Sequence, residues 1–116
     1  MGAELVPVSP AALAAGNNND YAGVGASSFA RLSADAAGST LTGVVAPTET
    51  GTGDRLLVIV NISANTLSIT HQDVLSAAAN RFLTATGATL PLAADDTATF
   101  VYDSTTARWR QITGVV

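Results

Sequence analysis

From residue 29 onward, apolar and polar positions alternate with a period of two over much of the chain, the mark of half-buried β-strands. Thr66-Leu67-Ser68-Ile69-Thr70-His71 shows it most cleanly, with Leu67, Ile69 and His71 on one face and Thr66, Ser68 and Thr70 on the other. Thr97–Tyr102 alternates too, and Arg108-Trp109-Arg110-Gln111-Ile112 sets the Trp109 ring on one face and both arginines on the other. Phe29–Ser33 and Thr40–Ala46 predict two earlier strands, with Asp35–Ser39 as the turn between them. Leu83–Thr86 and Thr89–Leu92 are short candidates around Gly87. Pro91 cannot donate to a ladder, which assigns the second of these to a sheet edge. Arg55–Ile62 differs, being β-branched and apolar at consecutive positions, so it predicts a central strand covered on both faces. The short Ser63-Ala64-Asn65 connection predicts a hairpin with Thr66–His71. Gln72–Phe82 breaks the period and reads as a helical turn or an ordered loop.

Seven or eight short strands, with no amphipathic helix beyond two turns, predict an all-β fold. The expected architecture is an antiparallel β-sandwich or barrel, jelly-roll-like, over residues 29–116. Residues 1–28 have another texture, rich in Ala, Gly and Asn and carrying Pro7 and Pro10. Ser9–Gly16 has a cap, a proline and a glycine stop, but is too short for a stable helix. This segment is expected to be an N-terminal arm, either flexible or ordering on a partner. Leu56–Ile62 combines high β-propensity with low charge, which is hazardous if left uncovered. Association through a β-face, giving an oligomer, would cover it.

Composition narrows the functions open to the chain. With 116 residues there is room for one ordinary domain. Charged residues make up only 12%, about half the usual quarter. Lysine is absent, all five basic residues are arginine, and the net charge is −4. That balance excludes a nucleic-acid binder relying on phosphate neutralisation. Without cysteine there is no disulfide framework, thiol nucleophile or thiolate zinc site. The strongest apolar run, Leu56–Val60, is far short of the roughly twenty residues that span a bilayer. Met1–Gly16 lacks the basic start and continuous apolar stretch of a signal peptide. The expectation is a soluble chain, made in a cytoplasm and neither exported by signal nor anchored in a membrane.

Candidate chemistry is sparse. His71, the only imidazole, reads as a structural residue at a strand end, because neither a poised nucleophile nor converging ligands accompany it. Asp95-Asp96 reads as a β-turn bonding its own backbone, and Asn17-Asn18-Asn19-Asp20 carries similar oxygen atoms in a similar setting. Gly23-Val24-Gly25 and Gly51-Thr52-Gly53 lack the trailing Lys-Ser/Thr of a phosphate loop. No catalytic residue, cofactor or metal site is assigned, and the chain is not expected to be an enzyme. The most informative patch is Tyr102-Asp103 followed by Arg108-Trp109-Arg110. Either Trp109 packs in the core above solvated arginines, or these residues meet a partner, since Arg and Trp are enriched in binding hot spots. The guanidiniums could also pair with Asp103 or Asp54. Arg81 belongs to the same class, and Tyr21 completes the candidate partner interface of Tyr21, Arg81, Tyr102, Arg108, Trp109 and Arg110.

The ordered set Gly53–Ile62, Asn65–Asp73, Ser76–Phe82 and Val101–Arg110 resembles a domain recurrent in tailed-bacteriophage structural proteins, among them tail-fibre, receptor-binding and head-decoration proteins. The resemblance covers about half the chain, residues 53–110, as strand, Asn-Thr hairpin, His-x-Asp, Asn-Arg-Phe and Tyr-Asp-x-x-x-x-Arg-Trp. It implies a virion structural protein, a homotrimer of β-rich subunits without catalysis. The shortness of the chain favours a stand-alone capsid decoration (cement) protein. Such a protein would lie on the outer head surface and use its N-terminal arm to grip the major capsid protein. The alternative is a tail-fibre or receptor-binding tip whose Trp109, Tyr21 or Tyr102 would stack on a host-surface sugar.

Overall fold

A computed structural model describes residues 6–47 and 55–112. The loop expected over Pro47–Asp54 therefore lies, from residue 48, outside the described residues, as do Asp54 and the Gly51-Thr52-Gly53 run. The fold is nearly all β: ten strands and a single 3-10 turn, Ala78–Asn80, among the described residues. A six-stranded sheet takes β1 (Pro7–Val8), β3 (Phe29–Leu32), β5 (Leu56–Asn61), β9 (Thr97–Asp103), β10 (Arg108–Ile112) and β7 (Phe82–Leu83), in that spatial order. A four-stranded sheet takes β2 (Gly16–Asn18), β4 (Ser39–Leu41), β6 (Leu67–Ile69) and β8 (Leu90–Leu92).

The sheets are mixed, which corrects the antiparallel expectation. From β1 to β6 the chain alternates between the two sheets, so each return to a sheet runs in the same direction. Consequently β1, β3 and β5 pair in parallel, as do β2, β4 and β6. Antiparallel pairing enters only later, where β9 lies between β5 and β10 and β8 pairs with β6. The last contact in the larger sheet, β10 with β7, is again parallel. The expected hairpin of β5 with β6 does not form, because the two strands belong to different sheets.

Asn61 explains that departure. Its carboxamide is fully buried, donates to the carbonyls of Asn65, Leu92 and Ala93, and accepts the N–H and hydroxyl of Ser63. These bonds turn the chain out of the larger sheet at Ser63–Asn65 and carry β6 into the smaller one. The burial patterns follow. Leu57 and Ile59 on β5, with Leu67 and Ile69 on β6, are all fully buried in a single core fed by both sheets. Phe82 and Phe100 meet there with ring centroids 4.8 Å apart.

The other face of β5 is not buried within the chain, contrary to the expected double cover. Leu56 is exposed, Val58 and Val60 are half-exposed, and β5 as a whole alternates between the two environments. Residues 6–28 also differ from expectation. They form β1 and β2 and bury Leu13 and Val24 in the core, at 3% and 2% exposure. Leu13 N–H donates to Ser33 O, and Ser28 N–H to Val6 O. A separate arm is thus not what residues 6–28 make. Their isolated apolar residues act as plugs, and parallel pairing with later strands supplies the backbone partners that a short local segment lacks. Pro91 lies on β8, an edge strand, as its missing N–H requires.

Candidate binding surface

Between β6 and β7 the chain makes a loop, residues 70–82, that carries little regular structure but is heavily braced. Gln72 takes a positive φ of 50° and turns the chain off the end of β6. Asp73 then closes an Asx turn, its Oδ1 accepting Leu75 N–H at 2.9 Å. Ser76 is buried, and its Oγ accepts Asp20 N–H at 2.9 Å and lies 2.8 Å from Thr42 Oγ1. Thr42 Oγ1 in turn lies 2.7 Å from Asn19 Oδ1, so one proton order, Ser76 to Thr42 to Asn19, satisfies the whole chain. Asp20 Oδ1 accepts both Ala77 N–H at 2.7 Å and Asn80 Nδ2 at 2.8 Å. These bonds, chiefly the one from Asn80, hold the Asp20 carboxyl below its ordinary range, with the Arg81 charge adding to them.

Asn80 ties this loop to the neighbouring strand connection. Its carbonyl accepts Val44 N–H and its Oδ1 accepts Ala46 N–H at 2.8 Å. Gly43 passes so close to the loop that a Cβ there would collide with the Ser76 side chain and the Asn80 carbonyl. A glycine is required by that approach rather than by its φ.

The six residues expected at a partner interface fall into three groups. Tyr102 and Trp109 are buried and meet edge to face, with centroids 5.1 Å apart. Tyr102 OH donates to Ala79 O, and Trp109 Nε1 donates to Val44 O, each at 2.9 Å. Burial raises the Tyr102 hydroxyl pKa, with Arg108 opposing it. The Tyr102 ring therefore braces the loop, and the Trp109 ring braces the strand connection packed against it. Arg81 and Arg108 act at its margins: Arg81 Nε donates to Ser76 O at 2.9 Å, and Arg108 Nε to Gln72 Oε1 at 2.7 Å. Arg110 stands on the opposite face of β10 from Trp109 and pairs with Asp103 at 3.1 Å. Burial acts to raise the Asp103 carboxyl pKa, but hydrogen bonds from Arg110 and Thr106 outweigh it and leave it lowered. Tyr21 bridges Val44 and is half-buried, its hydroxyl pKa raised by burial.

Tyr21 also lines a shallow groove of about 280 Å³ with Ala22, Ala26, Val44, Val45, Ala46 and Pro47. Arg55 lies at the same groove and donates to the carbonyls of Gly25 and Ser27. What the braced loop presents outward is apolar. Val74 is 79% exposed and Leu75 49%. Sequence reasoning missed both, since the period breaks at Gln72. The available signal was an apolar pair between a turn-forming Asp and a Ser.

The remaining candidates serve the backbone. His71 Nδ1 accepts Thr84 N–H at 3.1 Å. Asp96 Oδ2 accepts Ala93 N–H in the turn before β9. Asn18 bonds to the main chain of Ala14, Gly16 and Thr40. Among the described residues, no three His, Asp or Glu side chains are grouped to hold a metal ion. No helix among them is long and apolar enough to cross a membrane.

A second surface is the outer face of the six-stranded sheet. The strand register aligns Phe29 with Val58, Thr99 and Ile112 in one row, and Leu56 with Val101 and Arg110 in the next. A third row joins Arg31, Val60 and Thr97. On this face Leu56, Val58 and Val60 make an apolar, uncharged row with Thr97, Thr99 and Val101 beside it on β9, and charges, Arg31, Arg110 and Asp103, lie at its flanks. No protein-family profile, curated protein or solved structure matches this chain.

Proposed function

We propose that the protein is a bacteriophage capsid decoration protein, a homotrimer that binds the major capsid protein on the outer head surface and stabilises the shell. The observation that carries the reading is the outer face of β5. Leu56, Val58 and Val60, with Phe29 and Val101 beside them, form an uncharged apolar strip that a single copy leaves partly in water. Cover from other copies would remove it from solvent, and binding to an assembled shell would stabilise that shell by mass action. The scarcity of charge and the absence of lysine suit a surface used for packing. Two sheets over one core are read here as a sandwich.

The grip on the shell, expected of residues 1–28, passes to the folded body, because residues 6–28 are built into the sheets. Light scattering after gel filtration should give a mass near three times 11.6 kDa, and the protein should co-sediment with phage heads. A monomer at every concentration that also fails to bind heads overturns the proposal. Binding to host-surface glycans in place of heads would replace it with the receptor-binding alternative.

A further inference from the structure

Each sheet ends in two edge strands, and an edge is a row of main-chain N–H and C=O groups with which another strand can pair. Among the described residues, three of these four edges are closed by the chain itself. On β1, Val6 O accepts Phe29 N–H, so Pro7 turns away from β3 and sets a nitrogen without hydrogen on the edge. Pro91 does the same on β8. There Thr70 N–H donates to Leu41 O, so Leu67 and Ile69 are the β6 residues that bond β8, and Pro91 between their partners faces outward. The β7 edge is covered by the loop before it, where Gln72 N–H donates to Phe82 O and His71 Nδ1 accepts Thr84 N–H.

The fourth edge, β2, is open. Gly16 N–H donates to Gly38 O and Asn18 O accepts Thr42 N–H, so these two residues face β4 and the N–H and C=O of Asn17 point outward. Asn17 is exposed, and among the described residues no hydrogen bond reaches its main chain or its carboxamide from elsewhere in the fold.

The residues around Asn17 determine what fits this edge. Gly16 and Ala15 precede it, and Asn18 and Asn19 follow it. A two-fold axis at Asn17, with the strands antiparallel, sets each small residue against a carboxamide of the other copy: Gly16 opposite Asn18, Ala15 opposite Asn19. Asn17 meets its own counterpart, each supplying one main-chain donor and one acceptor, and its carboxamide carries both as well. The nearest charges, the two Asp20 carboxylates, fall at opposite ends of the pairing. Like charges directly opposed, which destabilise a strand pair, are thereby avoided. The edge is complementary to itself.

From these observations we propose that a second copy of the chain docks on β2, the two strands pairing antiparallel about a two-fold axis at Asn17, so that the four-stranded sheets of both copies run on as one. The contact is isologous and closes on the pair. It uses the sheet that the association proposed above leaves alone, so it depends neither on that association nor on the virion assignment. Where the outer face of the six-stranded sheet makes trimers, the β2 edge joins one trimer to another.

The protein has no cysteine, so an engineered thiol reports cleanly. Opposed Cα atoms in a hydrogen-bonded antiparallel pair lie about 5.5 Å apart, inside the span of roughly 4.4–6.8 Å that a disulfide bridges. Under mild oxidation, Asn17→Cys protein should form a covalent dimer many-fold faster than Thr105→Cys protein, whose exposed position in the turn between β9 and β10 measures chance collision. In the unaltered protein, exchange of the Asn17 amide should slow several-fold as concentration is raised, while the amide of exposed Val74 keeps its rate. Cross-linking no faster than the collision control, or an Asn17 exchange rate that ignores concentration, overturns the contact. The cross-link is then repeated with Val58→Glu added. Retention supports an edge contact of its own, and loss assigns the cross-link to the other sheet's face and overturns it. Head co-sedimentation is read separately, so the virion assignment and this contact can fail independently.

Discussion

The indole N–H of Trp109 donates to the main-chain carbonyl of Val44 across 65 positions of sequence, at 2.9 Å. This bond ties the last strand to the strand connection that walls the groove. With the hydroxyl of Tyr102 on Ala79 O, it converts the two largest aromatic candidates from contact residues into supports. The surface they hold up is made by smaller residues, Val44 at the groove among them.

Replacing Trp109 with Phe should remove the donor to Val44 O and leave that buried carbonyl without a partner, at a cost of about 1–3 kcal/mol. The smaller ring adds a cavity term to this loss. Tyr102→Phe should cost less, about 1 kcal/mol, because it deletes one hydrogen bond and keeps the ring. Chemical denaturation gives both values, and their order is the test.

Gly43→Ala should disturb the braced loop selectively. The added methyl meets Ser76 and the Asn80 carbonyl, so the loop must move away for the change to be accommodated. Amide hydrogen exchange should rise at Ala77 and Asn80, whose N–H groups bond within the cluster. Exchange in β9 should stay slow. Uniform acceleration across both regions would mean that the loop and sheet open as one unit.

Asp20 gives the fold a dependence on acid. Its carboxyl pKa lies below the ordinary value of 3.8, so the unfolded chain takes up this proton more readily than the folded one. The contribution is fully present above about pH 3.8 and is lost as pH falls through the lower folded value. Urea midpoints measured from pH 6 to pH 2 should therefore decline less steeply in Asp20→Asn than in the parent. Equal slopes would show that the Ala77 and Asn80 bonds do not discriminate between charged and neutral Asp20.

Asn61→Ala should be among the most damaging single changes. It removes the donor to Leu92 O and the acceptor of Ser63 N–H, while Asn65 O and Ala93 O keep the Ser63 hydroxyl and Asp96 N–H, so the loss should be about 2 kcal/mol or more. Thermal unfolding measures it.

Val58→Glu probes the outer sheet face. The side chain is half-exposed in the single copy, so the folded subunit should tolerate the charge. The solution mass should nevertheless fall towards that of one chain, since an unpaired carboxylate cannot be buried cheaply at an interface. An oligomer that persists unchanged would leave this face free.

Local pattern sufficed where the governing physics is local. The alternation in Leu67, Ser68 and Ile69 marked the buried face of β6 correctly, because a strand's side chains must point to opposite sides. Pro91 marked an edge because it has no N–H to give, and Asp96 marked a turn because its carboxylate reaches its own backbone. Trp109 and Arg110 were separated onto opposite faces by the same period of two. The partners of these strands could not be read this way. Whether β5 pairs with β6 or with β3 depends on which inward faces complete a common core, and Phe29 and Val58 meet across 29 positions of chain. The buried Asn61, the plugs Leu13 and Val24, and the exposed Val74 and Leu75 each contradict what their neighbours in sequence suggest. Their burial is decided by residues far along the chain: by Leu92 and Ala93 for Asn61, and by Asp20 and Tyr102 for the loop that carries Val74. Composition and periodicity thus determined that the chain is built of strands. The order of those strands, and which apolar residues were left in water, were decided by long-range packing and hydrogen bonding, which exist only once the chain has folded.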